Sequence, residues 1–244
     1  ELGKDEDGDA VTSCIVEVID EVPTDRKQPR GKNQARLLAA LQEWRRNNPE
    51  RDFITTIDYR VIAKAQGLDR NRLQEATEGL ERFGWLLDRS RRAISARLGL
   101  QVDWFPRAAL PGFHIYLAHD IFALPVASIH YDLQYQALDL SNIADVAVDE
   151  PVSFTLPVSL PAAGGGLNTW EKKFDREGEG SSISRADVAG IRPKRHPYHL
   201  GEMVLHSGHM LHQAAPAAFA HPDERRITLQ GHGIRAGGRL YLYW

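Results

Sequence analysis

The sequence predicts two unlike parts in one chain: a small helical unit, then an all-β domain of the sandwich or barrel type. Three observations carry this. Apolar residues recur at three- and four-residue steps up to about residue 98, and thereafter in short runs broken by Gly, Pro, Asn and Asp. Charge is segregated: residues 1–25 are acidic with Lys4 as their one base, 26–100 are strongly basic, and the rest is mildly acidic. All ten histidines lie between His114 and His232, so the basic part has none.

The 244 residues leave room for a core and for two modest domains. With 42% hydrophobic and 26% charged residues and a mean hydropathy of −0.40, the composition excludes disordered and fibrous classes. No apolar run approaches the ~20 residues of a membrane span. Cys14 is the only cysteine, which excludes an internal disulfide and a cysteine-rich zinc module and fits a reducing, cytoplasmic setting. The opening ELGKDEDGDA has neither an initiator Met nor a leader and reads as the start of a fragment or processed product.

In chain order, residues 1–29 form an acidic segment and linker. Within them the run Cys14-Ile15-Val16-Glu17-Val18-Ile19 predicts one strand, and the Pro- and Gly-bearing stretch after it the linker. Leu37, Leu38, Leu41 and Trp44 predict a first helix that stops at Asn47-Asn48-Pro49. Thr55 or Thr56 would cap a second, burying Ile57, Val61 and Ile62; Leu73, Ala76, Leu80 and Phe83 mark a third. Gly84-Trp85-Leu86-Leu87 then reads as a short strand and DRSRR as a basic hairpin tip. Three short helices and a hairpin over 30–98 resemble a winged helix-turn-helix of the kind found in phage and plasmid replication proteins. The resemblance implies nucleic-acid contacts from Arg70, Arg72, Arg89, Arg91 and Arg92 to phosphates. The competing reading has these arginines solvate one face of a bundle that supports the second part.

From 101 to 244 short β-like runs dominate: 113–118, 126–132, 152–160, 167–170, 203–206 and 226–234. The polar, Gly/Ser-rich segment 176–195 reads as an insert over an opening or as a disordered stretch. Gly164-Gly165-Gly166 reads as a tight turn, since no helix or Lys follows to cradle a phosphate.

His130-x-Asp132 places an imidazole and a carboxylate on one face of a strand, able to grip one ion together. A third ligand is available from His206, His209 or His212, and Arg226, Thr228, Gln230 and His232 share one face of a later strand. Two histidines and one carboxylate form the facial set that suits non-haem Fe(II) and leaves coordination positions open.

His-x-Asp, a distal His followed closely by a Pro, and then Arg-x-Thr resemble the Fe(II)- and 2-oxoglutarate-dependent dioxygenase superfamily over residues 101–244. The runs LPGFHIYLAHD, GEMVLHSG and ERRITLQGHG resemble an uncharacterised bacterial branch of it. The resemblance implies a double-stranded β-helix (jelly-roll) domain that couples oxidative decarboxylation of 2-oxoglutarate to oxidation of a small-molecule or amino-acid-type substrate. Its cofactor set is Fe(II), 2-oxoglutarate and O2, with ascorbate as reductant. His130, Asp132 and His212 would hold the iron; His212 lies 14 residues before Arg226, close to the family interval. Arg226 would clamp the distal carboxylate through its planar fork, with Thr228 on the same carboxylate. Gln134, Asn168 and Trp170 are candidates for substrate contacts, while His114 and His119 read as structural. His196 and His199 flank Pro197-Tyr198 at a metal-like spacing with no partner nearby in sequence.

Two other classes compete. One is a DNA-binding or replication-associated adaptor whose β domain binds metal without turnover. The other is a cupin-like metal protein, against which Arg226 and Thr228 argue. A nucleobase-demethylating hybrid is opposed by His232, which stands where repair oxygenases carry a second Arg six residues after the clamp.

Overall fold

The computed structural model describes residues 13–17, 54–57, 70–106, 108–175 and 182–244. In chain order these give β1 (Ser13–Glu17), β2 (Ile54–Ile57), helix α1 (Arg70–Leu98), β3 (Gln101–Trp104), β4 (Gly112–Leu117), β5 (Ile129–His130), β6 (Val146–Ser159), β7 (Ala163–Gly164) and β8 (Leu167–Lys173). After them come β9 (Ser182–Ile183), β10 (Lys194–His196), β11 (Glu202–Ser207), β12 (Met210–Ala214), β13 (Ala217–Ala218), β14 (Arg225–Ala236) and β15 (Arg239–Tyr243). The described residues are mostly β-sheet with one long helix.

The larger sheet runs β1-β11-β6-β14-β15-β3, with β4 also on β14 and β2 on β4. The smaller sheet runs β10-β8-β12-β5-β9, and β13 pairs β7 in a separate ribbon. All pairings are antiparallel except β15 with β3.

Strict alternation on the larger sheet sorts its two faces. Phe113, Ile115, Phe154, Leu156, Met203, Leu205, Ile227, Leu229 and Leu240 turn to one side and form a buried cluster with Phe83, Leu86, Leu87 and Ile94 of α1. The intervening positions, among them His114, Ser153, Thr155, His206, Arg226, Thr228 and His232, turn to the opposite side. That side meets the smaller sheet: the ring of His206 stands 4.6 Å from that of His212, and His232 Nδ1 lies 3.8 Å from Asp132 Oδ2. One face of β14 is therefore oil against the helix, and the other is a polar interior.

Three local expectations are corrected or met here. The strand and hairpin expected at 84–92 are helix, because Phe83, Leu86, Leu87, Ser90 and Ile94 keep one buried stripe at helical spacing. That stripe outweighs the roughly 1 kcal/mol penalty of Gly84 in a helix interior. Arg91, expected at a wing tip, instead ties the helix down, donating to the Val102 carbonyl (2.9 Å) and to Asp88 (2.7 Å), while Arg92 also pairs with Asp88. The helix expected to start at Thr55 or Thr56 is at 54–57 a strand, drawn into register with β4 as Thr55↔Ile115 and Thr56↔His114. The strand expected around Cys14 is present as β1, which pairs β11 from Ser13↔His206 to Glu17↔Glu202. The predicted linker and first helix lie outside the described residues, as do 176–181 of the polar segment; nothing described supports the winged-helix resemblance. Residues 182–195 of that segment contain β9 and a short 3-10 turn, Arg185–Val188, whose capping box joins Ser184 and Asp187. Among the described residues no helix is long and apolar enough to cross a membrane.

The Gly164-Gly165-Gly166 turn is required by close approach. Gly164 has φ +81, and a Cβ on it would stand 2.3 Å from the Pro216 carbonyl oxygen; one on Gly166 would stand 2.2 Å from that of His196. These contacts bring the end of β10 and the exit from β12 against the start of β8.

Candidate metal centre and its carboxylate pocket

β5 has only two residues, and it is anchored by β12 across the pair His212↔His130. Directly opposed residues share a face, so both imidazoles point the same way. Asp132 lies just past the strand, held where its amide donates to the Gly208 carbonyl (2.8 Å). One ligand atom from each of His130, Asp132 and His212 lies within 4.8 Å of the others. His212 Nε2 is 3.3 Å and His130 Nε2 3.6 Å from the Asp132 carboxylate. Donors held at about 2.1 Å and right angles around one ion stand about 3 Å apart, so this spacing suits a shared cation.

The tautomers suit it too. His212 Nδ1 lies 2.9 Å from the Met210 carbonyl and His130 Nδ1 3.2 Å from that of Ser128. With Nδ1–H donating to these oxygens, each Nε2 presents its lone pair to the centre. Burial, with His206 and His130 nearby, pushes His212 down to about 3 against the opposing pull of Asp132. Burial would raise Asp132, but the surrounding His212, His232, His206 and His130 hold it well below the ordinary carboxylate range. At neutral pH the site is an ionised carboxylate with a neutral His212, the states a divalent metal needs.

The remaining histidines separate clearly. His209 sits in the turn between β11 and β12, with Nε2 3.1 Å from the Tyr135 hydroxyl. His206, at 2% exposure, backs His212 and bonds through Nδ1 to the Ser207 carbonyl (3.0 Å). His232 bonds Ser153 Oγ (3.1 Å) and stacks on Trp244 with 18° between the rings. His196 bonds Thr169 Oγ1 (3.0 Å), and burial with Lys194 close by lowers its pKa. His232 thus supplies an imidazole beside Asp132.

Arg226 is 3% exposed. No carboxylate among the described residues pairs with it, and its Nε has no hydrogen-bond partner. Its guanidinium is flanked by the rings of Tyr116 (4.9 Å) and Tyr198 (5.7 Å). It lines a cavity of about 120 Å³ together with Tyr116 and mostly apolar walls, including Phe122, Val126, Ala214, Ala215 and Phe219. Thr228, two residues on, is fully buried and accepts from Gln230 Nε2 (3.1 Å). Two of its lining residues lie close in sequence to the cluster: Ala127 is three residues before His130, and Ala214 shares the face of His212 on β12.

Of the substrate candidates, Gln134 reaches the centre, with Nε2 3.4 Å from Asp132 Oδ1 although it sits on a 3-10 turn and not a strand. Asn168 and Trp170 lie on the other face of β8. The register pairs Thr169 with His212, and Asn168 and Trp170 with Gln213 and Leu211. Trp170 is packed in a second cluster with Leu211, Ile129 and Tyr131, its indole donating to the Ile191 carbonyl (3.3 Å). Sequence reasoning missed Thr169, Tyr116 and Tyr198, which reach the interior through pairings and packing that no local spacing announces.

No family model and no curated protein matches the chain. Solved structures do. The non-heme alpha ketoglutarate dependent carbocyclase SnoK from nogalamycin biosynthesis superposes with a TM-score of 0.51 at 14% identity, over 95% of this chain and 79% of that one. An N-substituted L-amino acid dioxygenase from Burkholderia ambifaria AMMD matches at TM-score 0.49 and 14% identity, over 96% and 86% of the two chains. AviO1 from Streptomyces viridochromogenes Tue57 matches at 0.45 and 13%, over 90% and 88%. The similarity to the carbocyclase is one of fold.

Proposed function

We propose that the chain is an Fe(II)- and 2-oxoglutarate-dependent dioxygenase whose catalytic portion is a double-stranded β-helix over 101–244. In this reading His130, Asp132 and His212 hold the iron, and Arg226 with Thr228 holds the distal carboxylate of 2-oxoglutarate. The observation that carries it is the convergence of the three ligand atoms within 4.8 Å, two of them on buried residues. The buried Arg226 supports the diacid, because a cation so far from water is costly until an anion meets it.

Iron with 2-oxoglutarate and O2 would supply an oxidation in which the oxo acid leaves as succinate and carbon dioxide; ascorbate would keep the metal reduced. The chain's own residues do the rest. Met210 and Ser128 carbonyls orient the two imidazoles, Gln134 steadies the carboxylate, and the facial donor set leaves one side of the ion open. Apolar walls at Phe122, Val126 and Phe219 keep water from the diacid. The fold shared with the carbocyclase supports a small-molecule or amino-acid-type substrate, met on the side of Gln134.

The test is release of succinate from 2-oxoglutarate by the protein supplied with Fe(II) and ascorbate. His130→Ala and Asp132→Ala should each abolish it; turnover persisting in both would refute the assignment.

A further inference from the structure

Strand register sets two rows of paired residues against each other. On the smaller sheet His130, His212 and Thr169 are direct partners across β5, β12 and β8. On the larger sheet His206, Ser153 and His232 are direct partners across β11, β6 and β14. Direct partners share a face, and the two rows meet where His232 Nδ1 comes within 3.8 Å of Asp132 Oδ2. His232 is 7% exposed and stands outside the donor set of His130, Asp132 and His212. Its place is beside the carboxylate.

The fold holds this ring in place. Ser153 Oγ lies 3.1 Å from Nδ1, Trp244 stacks on the ring (5.3 Å, 18°) and Tyr243 tilts against it (5.7 Å, 40°). The flanking residues are glycines because the backbone is pressed onto the apolar side of the sheet. A Cβ on Gly231 would stand 2.7 Å from the Phe154 ring, and one on Gly233 2.9 Å from the Leu240 side chain. An adjacent carboxylate favours the tautomer with hydrogen on Nδ1, so Ser153 Oγ is the acceptor and the same N–H edge lies next to Asp132. Gln134 Nε2 meets the other carboxylate oxygen, Oδ1, at 3.4 Å. Partners of this kind fix the orientation of a ligating carboxylate, and losing one typically costs about 10–100-fold in metal affinity. We infer that His232, braced by Ser153, is a positioning residue for the candidate metal centre: its imidazole fixes the Oδ2 side of the Asp132 carboxylate as Gln134 fixes the Oδ1 side. The inference rests on the metal-site reading and extends it to a residue outside the donor set.

Calorimetric titration of the full chain with Mn(II) tests it, with the visible spectrum of the Co(II)-loaded protein as a report on coordination. His232→Phe, which keeps a ring in the stack but has no N–H, should weaken Mn(II) about tenfold or more and alter the Co(II) spectrum. His232→Asn, whose amide reaches the place of Nδ1, should restore the greater part of both. Ser153→Ala should give a smaller loss than His232→Phe. Should His232→Phe not fold, Ser153→Ala carries the test, and unchanged Mn(II) affinity there overturns the inference. If His232→Phe and His232→Asn weaken Mn(II) alike, the ring serves packing alone; if His232→Phe changes neither affinity nor spectrum, it does not hold the carboxylate. Either result overturns the inference while the metal-site reading stands. A wild type that binds neither Mn(II) nor Co(II) ends the metal-site reading and this inference with it.

Discussion

His130 and His212 are direct partners across the β5–β12 pairing, and their ring centroids stand 4.4 Å apart. The two histidines of the candidate metal cluster are therefore brought together by strand register. A second consequence follows from β12: His212 and Ala214 share a face, so one strand carries both a histidine of the cluster and a wall of the cavity that Arg226 lines.

His206 and His212 have adjacent rings, yet only His212 joins His130 and Asp132 within ligand distance. His212→Ala should lower Mn(II) affinity by more than about a hundredfold, while His206→Ala, which removes a supporting ring, should cost on the order of tenfold. Calorimetric titration of the two variants checks this. The reverse ranking would make His206 the third ligand.

Arg226 has no acid partner in the described residues and is almost wholly buried. Replacing a buried cation that no carboxylate among the described residues compensates by an apolar side chain of similar length removes a desolvation cost. Arg226→Met should therefore raise the stability of the ligand-free protein by about 1–3 kcal/mol and end its response to 2-oxoglutarate. In the wild type, with Mn(II) present, a hundredfold excess of 2-oxoglutarate over its dissociation constant should add about 2.7 kcal/mol. Thermal melts with and without the diacid measure both effects. A destabilised Arg226→Met protein would mean that the guanidinium has a structural partner.

Much of this site was legible in the residues alone, for a physical reason. Pairs two apart on a strand share a face, so Arg226-x-Thr228 declares its geometry locally; Asp132 lies just past β5, and the two-residue step from His130 still brings both to one centre. What was not legible depended on register. Thr169 and Asn168 are neighbours in sequence, and only the β8–β12 pairing decides that Thr169 faces His212. Tyr198 enters the interior from a coil after β10, where no period exists to read. The helix at 84–92 was hidden by composition: Gly84 and three arginines suggest a hairpin, and Ser90 interrupts the apolar stripe although it is itself buried. The expectation of a second helix from Thr55 or Thr56 to Gly67 failed at Ile54–Ile57 because an open strand edge on β4 outweighs local propensity.

Acid should unfold the metal-free protein earlier than composition suggests. His206 and His212 have folded-state values below the ordinary 6.5, His206 by burial and His212 down to about 3. A base depressed by folding leaves stability complete above 6.5, and that stability is lost as pH falls toward the folded value, because the unfolded chain takes up the proton first. Each of the two contributes up to about 1.4 kcal/mol per pH unit in that window. Melting temperatures in the presence of a chelator should fall steadily from pH 7 to pH 5, and Mn(II) should oppose the fall near neutrality. A flat profile over that range would show that neither imidazole is kept neutral by the fold.

The last prediction concerns the role of α1. Phe83, Leu86, Leu87 and Ile94 are each at most 3% exposed and share one cluster with Phe113, Leu156, Leu205 and Leu229 of the larger sheet. The helix thus covers the reverse side of β14, the strand that carries Arg226 and Thr228 to the interior. Leu86→Ala should cost about 2–5 kcal/mol through the cavity it leaves, and a shifted β14 would carry the clamp with it. A fragment limited to 101–244 would expose that apolar face to water, so it should aggregate or lose cooperative unfolding, while one beginning at about residue 70 restores the cover. Denaturant unfolding of the three proteins checks this. A 101–244 fragment that is monomeric, cooperative and able to bind Mn(II) would show that α1 is an accessory and not part of the core that holds the clamp.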